Sequence, residues 1–427
     1  MSSEMSGARF LSAWESKILP LRQQAEIRNA WLKKRLDVLL PQLMRREGFD
    51  AWIVTGREYN EDPVLLTLLP ATALSARRRT ILLFFLRPDG TTEHISLSRP
   101  NSGHEELYRG VWDQTREGQW EAVARLLRER APAAIGINVS ETFAFGDGLS
   151  HSEFEELSRA LGRDLMARTK SAERLAVSWL ESRTEEELDA YPGIVAMVHG
   201  IIAEAFSSAV VLPGVTTPLD VAWWMRQRMH DLGLPAWFQP TVTVERQGVP
   251  SPVPTSPILP GDLLHCDVGF HYLGLATDCQ RLAYVLKPGE DSAPAGLTNA
   301  LRTGNRLQDI LASEMKAGRT GNEILAAALS KMRASGIKGS IYTHPIGYHG
   351  HGAGPIIGLF DHQEGVPGRG DYPLYDDTCH AMELNAVVPV PEWGGQEVRA
   401  ALEEDIVFTG GKVIFLDGRQ TSLHLIR

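Results

Sequence analysis

The hydrophobic and polar positions of the C-terminal part predict two antiparallel hairpins. Residues 263–285 alternate apolar and polar side chains behind the turn signal Pro260-Gly261-Asp262, and Gly269 and Gly274 mark a bend in their middle. Residues 380–390 and 397–409 form a second pair of strand-like runs, joined by Pro391-Glu392-Trp393-Gly394-Gly395. Upstream, residues 23–47 read as an amphipathic helix interrupted at Pro41. Residues 51–55, 79–85 and 134–138 read as strands, and 119–130 and 152–161 as helices. This composes an α/β unit over residues 1–175, with a boundary between Ser171 and Arg183. Thr184-Glu185-Glu186-Glu187 is a capping box opening a long helix to about Val211, with Pro192 kinking it or lying in its first turns. A second helix, capped by residues 213–220, runs through His230, with Trp223 and Trp224 expected on the sheet. Thr320-Gly321-Asn322-Glu323 opens a third, ending near Gly336. Helices interleaved with antiparallel hairpins make residues 176–427 an α+β domain.

The hairpins carry acids where apolar residues are expected. Asp267 and Asp278 are equidistant from a point between Tyr272 and Leu273, and Glu383 and Glu403 are equidistant from Trp393. If each hairpin turns at its midpoint, each pair stands face to face with Cβ atoms about 5 Å apart. Like charges so placed repel, so each pair requires a cation or a protonated member. Solvated strand charges would explain one such acid; two symmetric pairs in apolar strands favour an oxygen-rich site for two divalent cations. Mn, Co, Fe and Zn suit such ligands, with a histidine as a further donor. Residues 343–362 supply candidates, because His344, His349, His351 and His362 lie there among glycines and prolines that exclude a regular helix. That composition predicts a loop lining a cleft.

Composition narrows the partners. The 427 residues are 43% hydrophobic, enough for a substantial core, and the net charge of −10 argues against a nucleic-acid footprint. Cys266, Cys279 and Cys379 are an odd set, which fits a reducing compartment better than a disulfide framework. Strand alternation turns Cys266 and Cys279 away from the face of Asp267 and Asp278. Neither an export signal nor a membrane-spanning run is expected.

Asp267-x10-Asp278 followed by Cys279-Gln280-Arg281 resembles the D-x10-D-x-x-R segment of the pita-bread metallopeptidases. That family includes Xaa-Pro aminopeptidases, prolidases and methionine aminopeptidases, with creatinase as a metal-free relative. His344-Pro345-Ile346-Gly347-Tyr348-His349-Gly350-His351 is similar to its H-x-x-G-x-x-x-H segment, and the stretches around Glu383 and Glu403 to its two late glutamate segments. The resemblance implies a pita-bread domain over 176–427 behind a smaller creatinase-like α/β domain over 1–175. It also implies a homodimer, which the reducing compartment read from the cysteines and the lack of an export signal place in the cytoplasm. Metal ligands would be Asp267, Asp278, His344, Glu383 and Glu403. Glu383 or Glu403 would accept the proton of the attacking water, and His351 would hydrogen-bond the substrate or tetrahedral intermediate. His349 and His362 are further candidates for substrate binding, weighed against hydrogen bonds to backbone carbonyls. Arg281 is expected to pair with a carboxylate one layer out from the ligands. Parity excludes Glu404 as a ligand if Glu403 faces the metals.

Two family histidines are missing: Pro250 stands about where one precedes the first aspartate, and Ser340 stands four residues before His344. Both losses bear on the Xaa-Pro specificity, with Arg246 or Gln247 as replacement donors. The expected activity is hydrolysis of Xaa-Pro or related bonds at the N-terminus of short peptides or in dipeptides. The alternatives are a creatinase-like hydrolase of a small amide or amidino substrate and a non-catalytic binding module. Relatives of the latter kind keep the fold but typically lose ligands.

Overall fold

A computed structural model describes residues 14–99, 103–249 and 256–427. The described residues open with a 3-10 turn, Glu15–Lys17, followed by α1 (Leu21–Lys34), a π-helical turn Arg35–Leu39, and α2 (Leu40–Glu47). The interruption expected at Pro41 is this turn. Pro41 has no N–H for the carbonyl four residues back, and the Leu40 N–H bonds Arg35 O, five residues back.

The first sheet is built from β1 (Ala51–Arg57), then, beyond α3 (Pro63–Leu68), β2 (Arg79–Leu86), β3 (Thr92–Ser96) and β4 (Arg109–Gly110). It is completed, after α4 (Gln119–Arg130), by β5 (Ile135–Ile137) and, after α5 (His151–Met166), by β6 (Thr169–Ser171). The order is β4-β3-β2-β1-β5-β6. The central strands are apolar on both faces because both faces are covered. Trp52, Val54, Leu82 and Phe84 pack on α2 and α3, while Ala51, Ile53, Ile81 and Leu83 pack on α4 and α5.

Three helices follow: α6 (Glu173–Glu181), α7 (Glu185–Ala205) and α8 (Pro218–Asp231). Capping boxes open α7 at Thr184 and α8 at Thr217, and Pro192 is tolerated inside α7. Trp223 does not pack on the sheet: it is 58% exposed, whereas Trp224 lies against the core.

The second sheet gathers β7 (Thr241–Glu245), β8 (Leu263–Val268) and β11 (Cys279–Val285), the last two linked by β9 (His271–Tyr272) and β10 (Leu275–Ala276). Beyond α9 (Ala295–Glu314) and α10 (Gly321–Ala334) come β12 (Lys338–Ile346), β13 (Thr378–Val390), β14 (Gln396–Thr409), β15 (Lys412–Phe415) and β16 (His424–Ile426). The order is β12-β13-β14-β11-β8-β7, with β15 on β14 and β16 on β11. One core packs this sheet against α7 and α8, and another packs it against α9 and α10.

A buried group of charges ties the chain's start to the second half. Arg35 pairs with Glu187 at 2.9 Å, both fully buried, and donates to the Ser182 and Trp179 carbonyls. Arg183 lies 3.6 Å from the same carboxylate, and Tyr348 donates to it at 3.4 Å. Truncating Arg35 leaves a buried carboxylate short of its closest cation, so Arg35→Met is expected to lower stability by about 3–5 kcal/mol in urea denaturation. Glu187→Gln in that background should recover part of the loss.

Glu181, on α6 nearby, is fully buried and accepts from Tyr372 at one oxygen, while the other oxygen has no partner. Burial raises its pKa to about 8. The unfolded carboxyl ionises near its ordinary value, so the folded state holds the extra proton between that value and about 8. Glu181 therefore supports the fold fully at low pH and loses that contribution as pH rises through about 8. The difference in thermal midpoint between Glu181→Gln and the parent should be small near pH 5 and favour the variant increasingly towards pH 9.

Candidate metal centre

The first acid pair is brought together, but not directly opposite. Leu275 pairs with Tyr272 and Ala276 with His271, so the turn falls on Leu273 and Gly274, one residue later than expected. Both have positive φ, 54° and 85°, the signature of a tight hairpin turn that glycine takes easily and leucine rarely. This sets Asp267 opposite Gln280, with Asp278 at the diagonal position. The second hairpin has the expected register, with Glu383 opposite Glu403. The two join where Gln280 pairs with Glu403, bringing β8, β11, β14 and β13 side by side.

His344 lies on β12 opposite Ala381, in a strand and not in the loop that its glycine- and proline-rich surroundings predict. The β12 strand is at the sheet edge, where Pro345 is tolerated. His344 Nε2 is 3.4 Å from Glu403 and 3.5 Å from Asp278. Ligand atoms of Asp267, Asp278 and Glu403 lie within 4.8 Å of one another, as do those of His344, Glu383 and Glu403. Asp278, His344 and His351 form a third such group. Asp267 Oδ1, Asp278 Oδ1, Glu403 Oε1 and His344 Nε2 are all buried without a hydrogen-bond partner.

Burial raises the pKa of Asp267 and Asp278 well above the carboxylate range, and the neighbouring carboxylates add to the shift. Glu383 is raised to about 7 by burial and then by the charge of Glu403. Burial opposes protonation of His344, but the adjacent Glu403 carboxylate, 3.4 Å away, and the Pro345 carbonyl raise its pKa overall. Buried acids that repel and have unpaired oxygens are a costly arrangement without a cation. Four carboxylates and one imidazole suit a hard or borderline divalent ion, so the residues fit such a group.

The remaining candidates are placed differently. His351 stands perpendicular to His344 with ring centres 4.7 Å apart, beside Tyr342 and Trp237. Burial, then the nearby His344, lower its pKa to about 4. His349 points elsewhere, its ring 4.3 Å from Phe145, and lines a separate cavity of about 400 Å³ with His271 and Arg28. His362 is exposed and pairs with its neighbour Asp361. Arg281 does not touch the ligand carboxylates. It lies 2.7 Å from both Glu404 and His199, on the side away from Glu403 by alternation. His199, Cys279 and Glu404 also converge, but there the guanidinium already supplies the positive charge. Arg246 is paired with Asp262, and Gln247 donates to the Glu392 carbonyl, so neither is free as a replacement donor. Pro250 lies outside the described residues; Ser340 accepts from Asn385.

Tyr342 and Gln280 also share the face of Glu383 and Glu403, a placement that strand parity encodes at two residues from His344 and from Asp278 respectively.

Convergent acids and one histidine on paired antiparallel strands define a metal-binding hydrolase type of site. The profile of metallopeptidase family M24 matches residues 194–410, and the chain belongs to that family. Its fold is that of the pita-bread peptidases, preceded by a further domain. Among solved structures it is similar to an X-Pro aminopeptidase from Thermotoga maritima, with 16% identity, a TM-score of 0.62, and 90% of this chain and 99% of that one covered. A Xaa-Pro dipeptidase from Bacillus anthracis gives 16% identity and a TM-score of 0.57, covering 95% and 100%. The N-terminal domain of the FACT complex subunit SPT16 from chickpea gives 12% and 0.53, covering 96% and 100%. No curated protein matches the sequence. The family uses divalent metals, and none of the described helices is long and apolar enough to cross a membrane.

Cation binding should therefore relieve strain that the bare site carries. In chelator-stripped protein, Asp278→Asn is expected to raise the thermal midpoint by removing one repelling carboxylate. Mn²⁺ at a hundredfold excess over its Kd should stabilise the parent by about 2.7 kcal/mol and cancel the variant's advantage, as scanning calorimetry can read.

Proposed function

We propose that the protein is a dinuclear metal-dependent peptidase that hydrolyses Xaa-Pro or related bonds at the N-terminus of short peptides or in dipeptides. The observation that carries this reading is the set of four unpartnered buried ligand atoms on Asp267, Asp278, His344 and Glu403, with Glu383 beside them. Two ligand groups sharing Glu403 favour two ions over one, and manganese is the metal proposed, with Co, Fe or Zn able to take its place. Divalent ions bound there supply a water of lowered pKa and polarise the scissile carbonyl.

The chain's own residues do the rest. Asp267, Asp278, His344, Glu383 and Glu403 hold the ions, and Glu383 takes the proton of the attacking water. His351 lies at the open side of the site, where partial desolvation and the neighbouring His344 keep it neutral, so one ring nitrogen carries a proton and the other a lone pair. If Tyr342 donates to Nε2, 3.3 Å away, Nδ1–H remains to hydrogen-bond the substrate oxygen as charge develops. Trp237, edge-on to His351 at 5.1 Å, limits how that ring turns. Arg281 braces the back of β14 through Glu404. His349 and His362 take no part in this reading of the chemistry.

The fold alone does not separate a peptidase from a binding module, since the chickpea FACT domain shares it. The complete donor set favours the peptidase. A homodimer in the cytoplasm is the accompanying proposal; three free buried thiols agree with a reducing compartment.

The test is hydrolysis of Xaa-Pro dipeptides and longer X-Pro peptides by Mn²⁺-loaded protein, with Asp267→Asn as control. Metal-dependent cleavage abolished in the control is expected. Bound metal without cleavage of any X-Pro peptide would shift the substrate to a creatinase-like amide or amidino compound. Absence of both metal and cleavage would leave the binding module.

A further inference from the structure

Gln280 stands between two of the ligand residues, its backbone paired with Asp267 on one side and Glu403 on the other. Its side chain is buried, with Nε2 2.9 Å from Glu403 Oε2 and Oε1 2.8 Å from His265 Nε2. His265 Nδ1 lies 3.4 Å from the Thr243 hydroxyl. The direction of each bond follows from the amide. Its nitrogen only donates, so Gln280 Nε2 gives its hydrogen to Glu403 Oε2. The amide oxygen then faces His265, which must donate from Nε2. A neutral ring protonated at Nε2 keeps its lone pair at Nδ1, and that nitrogen accepts from Thr243. Three hydrogen bonds thus run one way, from Thr243 through His265 and Gln280 to Glu403.

The far end of the series decides how Glu403 is presented. With Oε2 held by Gln280, the oxygen left without a partner is Oε1. That atom lies beside His344 Nε2 and belongs with the unpartnered oxygens of Asp267 and Asp278. An apolar residue at 280 would fill the same space but leave both oxygens of Glu403 free to turn. A buried amide at this position is costly unless its bonds are made, and here both ends are used.

We propose that Gln280, oriented by His265, is the positioning residue that fixes which oxygen of Glu403 faces the metal centre, and thereby sets its cation affinity. This rests on the metal-binding reading above. The test titrates Mn²⁺ into the chelator-stripped full chain by calorimetry with a competing chelator. Gln280→Met should weaken Mn²⁺ by about 10–100-fold while circular dichroism of the metal-free chain stays unchanged. His265→Leu should weaken it less, and the double variant should be no weaker than Gln280→Met, because both act through one bond to Glu403. The ¹⁵N shifts of the His265 ring, assigned by its loss in His265→Leu, should show the Nε2–H form in metal-free wild type and a mixture in Gln280→Met. Unchanged Mn²⁺ affinity in a folded Gln280→Met chain, additive losses in the double variant, or an Nδ1–H ring in the wild type would overturn the proposal. If the wild type itself binds no Mn²⁺, the metal reading falls and the positioning role with it. The tautomer of His265 would still report whether the hydrogen-bond series exists, so the two failures are distinguishable.

Discussion

Four carboxylates held close together in a largely buried part of a sheet are the constraint around which the C-terminal half is arranged. Each alone would be a modest cost. Together they repel at short range where water does little to screen them. The fold does not dilute this charge. It supplies one imidazole from the edge strand, Tyr342 and His351 on the open side, and Gln280 from within, and otherwise surrounds the acids with buried strands. A sheet that accepts such a concentration of charge is built to be completed by positive charge from outside the chain.

The two faces of the same strands treat charge in opposite ways. Glu403 has a free buried oxygen, whereas Glu404, its neighbour, is fully occupied by Arg281 and by the backbone N–H of Gln420. The difference is one residue of strand parity. An internal guanidinium closes one site and leaves nothing to bind; the other lacks any such partner and stays open for a ligand.

Much of this was legible in the sequence, and the limits have physical causes. The equidistance of Glu383 and Glu403 from Trp393 gave their register directly, because the loop at residues 391–395 sits at the centre of the hairpin. The same reasoning missed by one residue around Asp267 and Asp278, since the turn took Leu273 into a left-handed conformation that sequence preference would not assign to leucine. Capping boxes at Thr184 and Thr320 were readable because they are local. The roles of His349 and His362 were not, because whether a histidine near a site faces it depends on how a glycine-rich loop is folded, which no spacing encodes. Helix α9 does carry a readable stripe, with Leu297, Leu301, Leu307 and Leu311 at helical spacing, whereas the short strands at the sheet margins depend more on packing than on pattern.

The buried arginine near the chain's start has a consequence for modularity. Arg35 comes from the opening helical stretch, Glu187 from the start of α7, and Tyr348 from the loop that carries His351. One carboxylate is thus shared by the helical turn at Arg35, the start of α7, and the loop beside the metal centre. Residues 194–410, the stretch that the family profile covers, leave out both Arg35 and Glu187. Excised at those limits, the remaining chain would keep every metal ligand and yet lose the clamp that seats Tyr348. A chain cut at the limits of the family profile is therefore expected to hold Tyr348 less firmly than the full chain does.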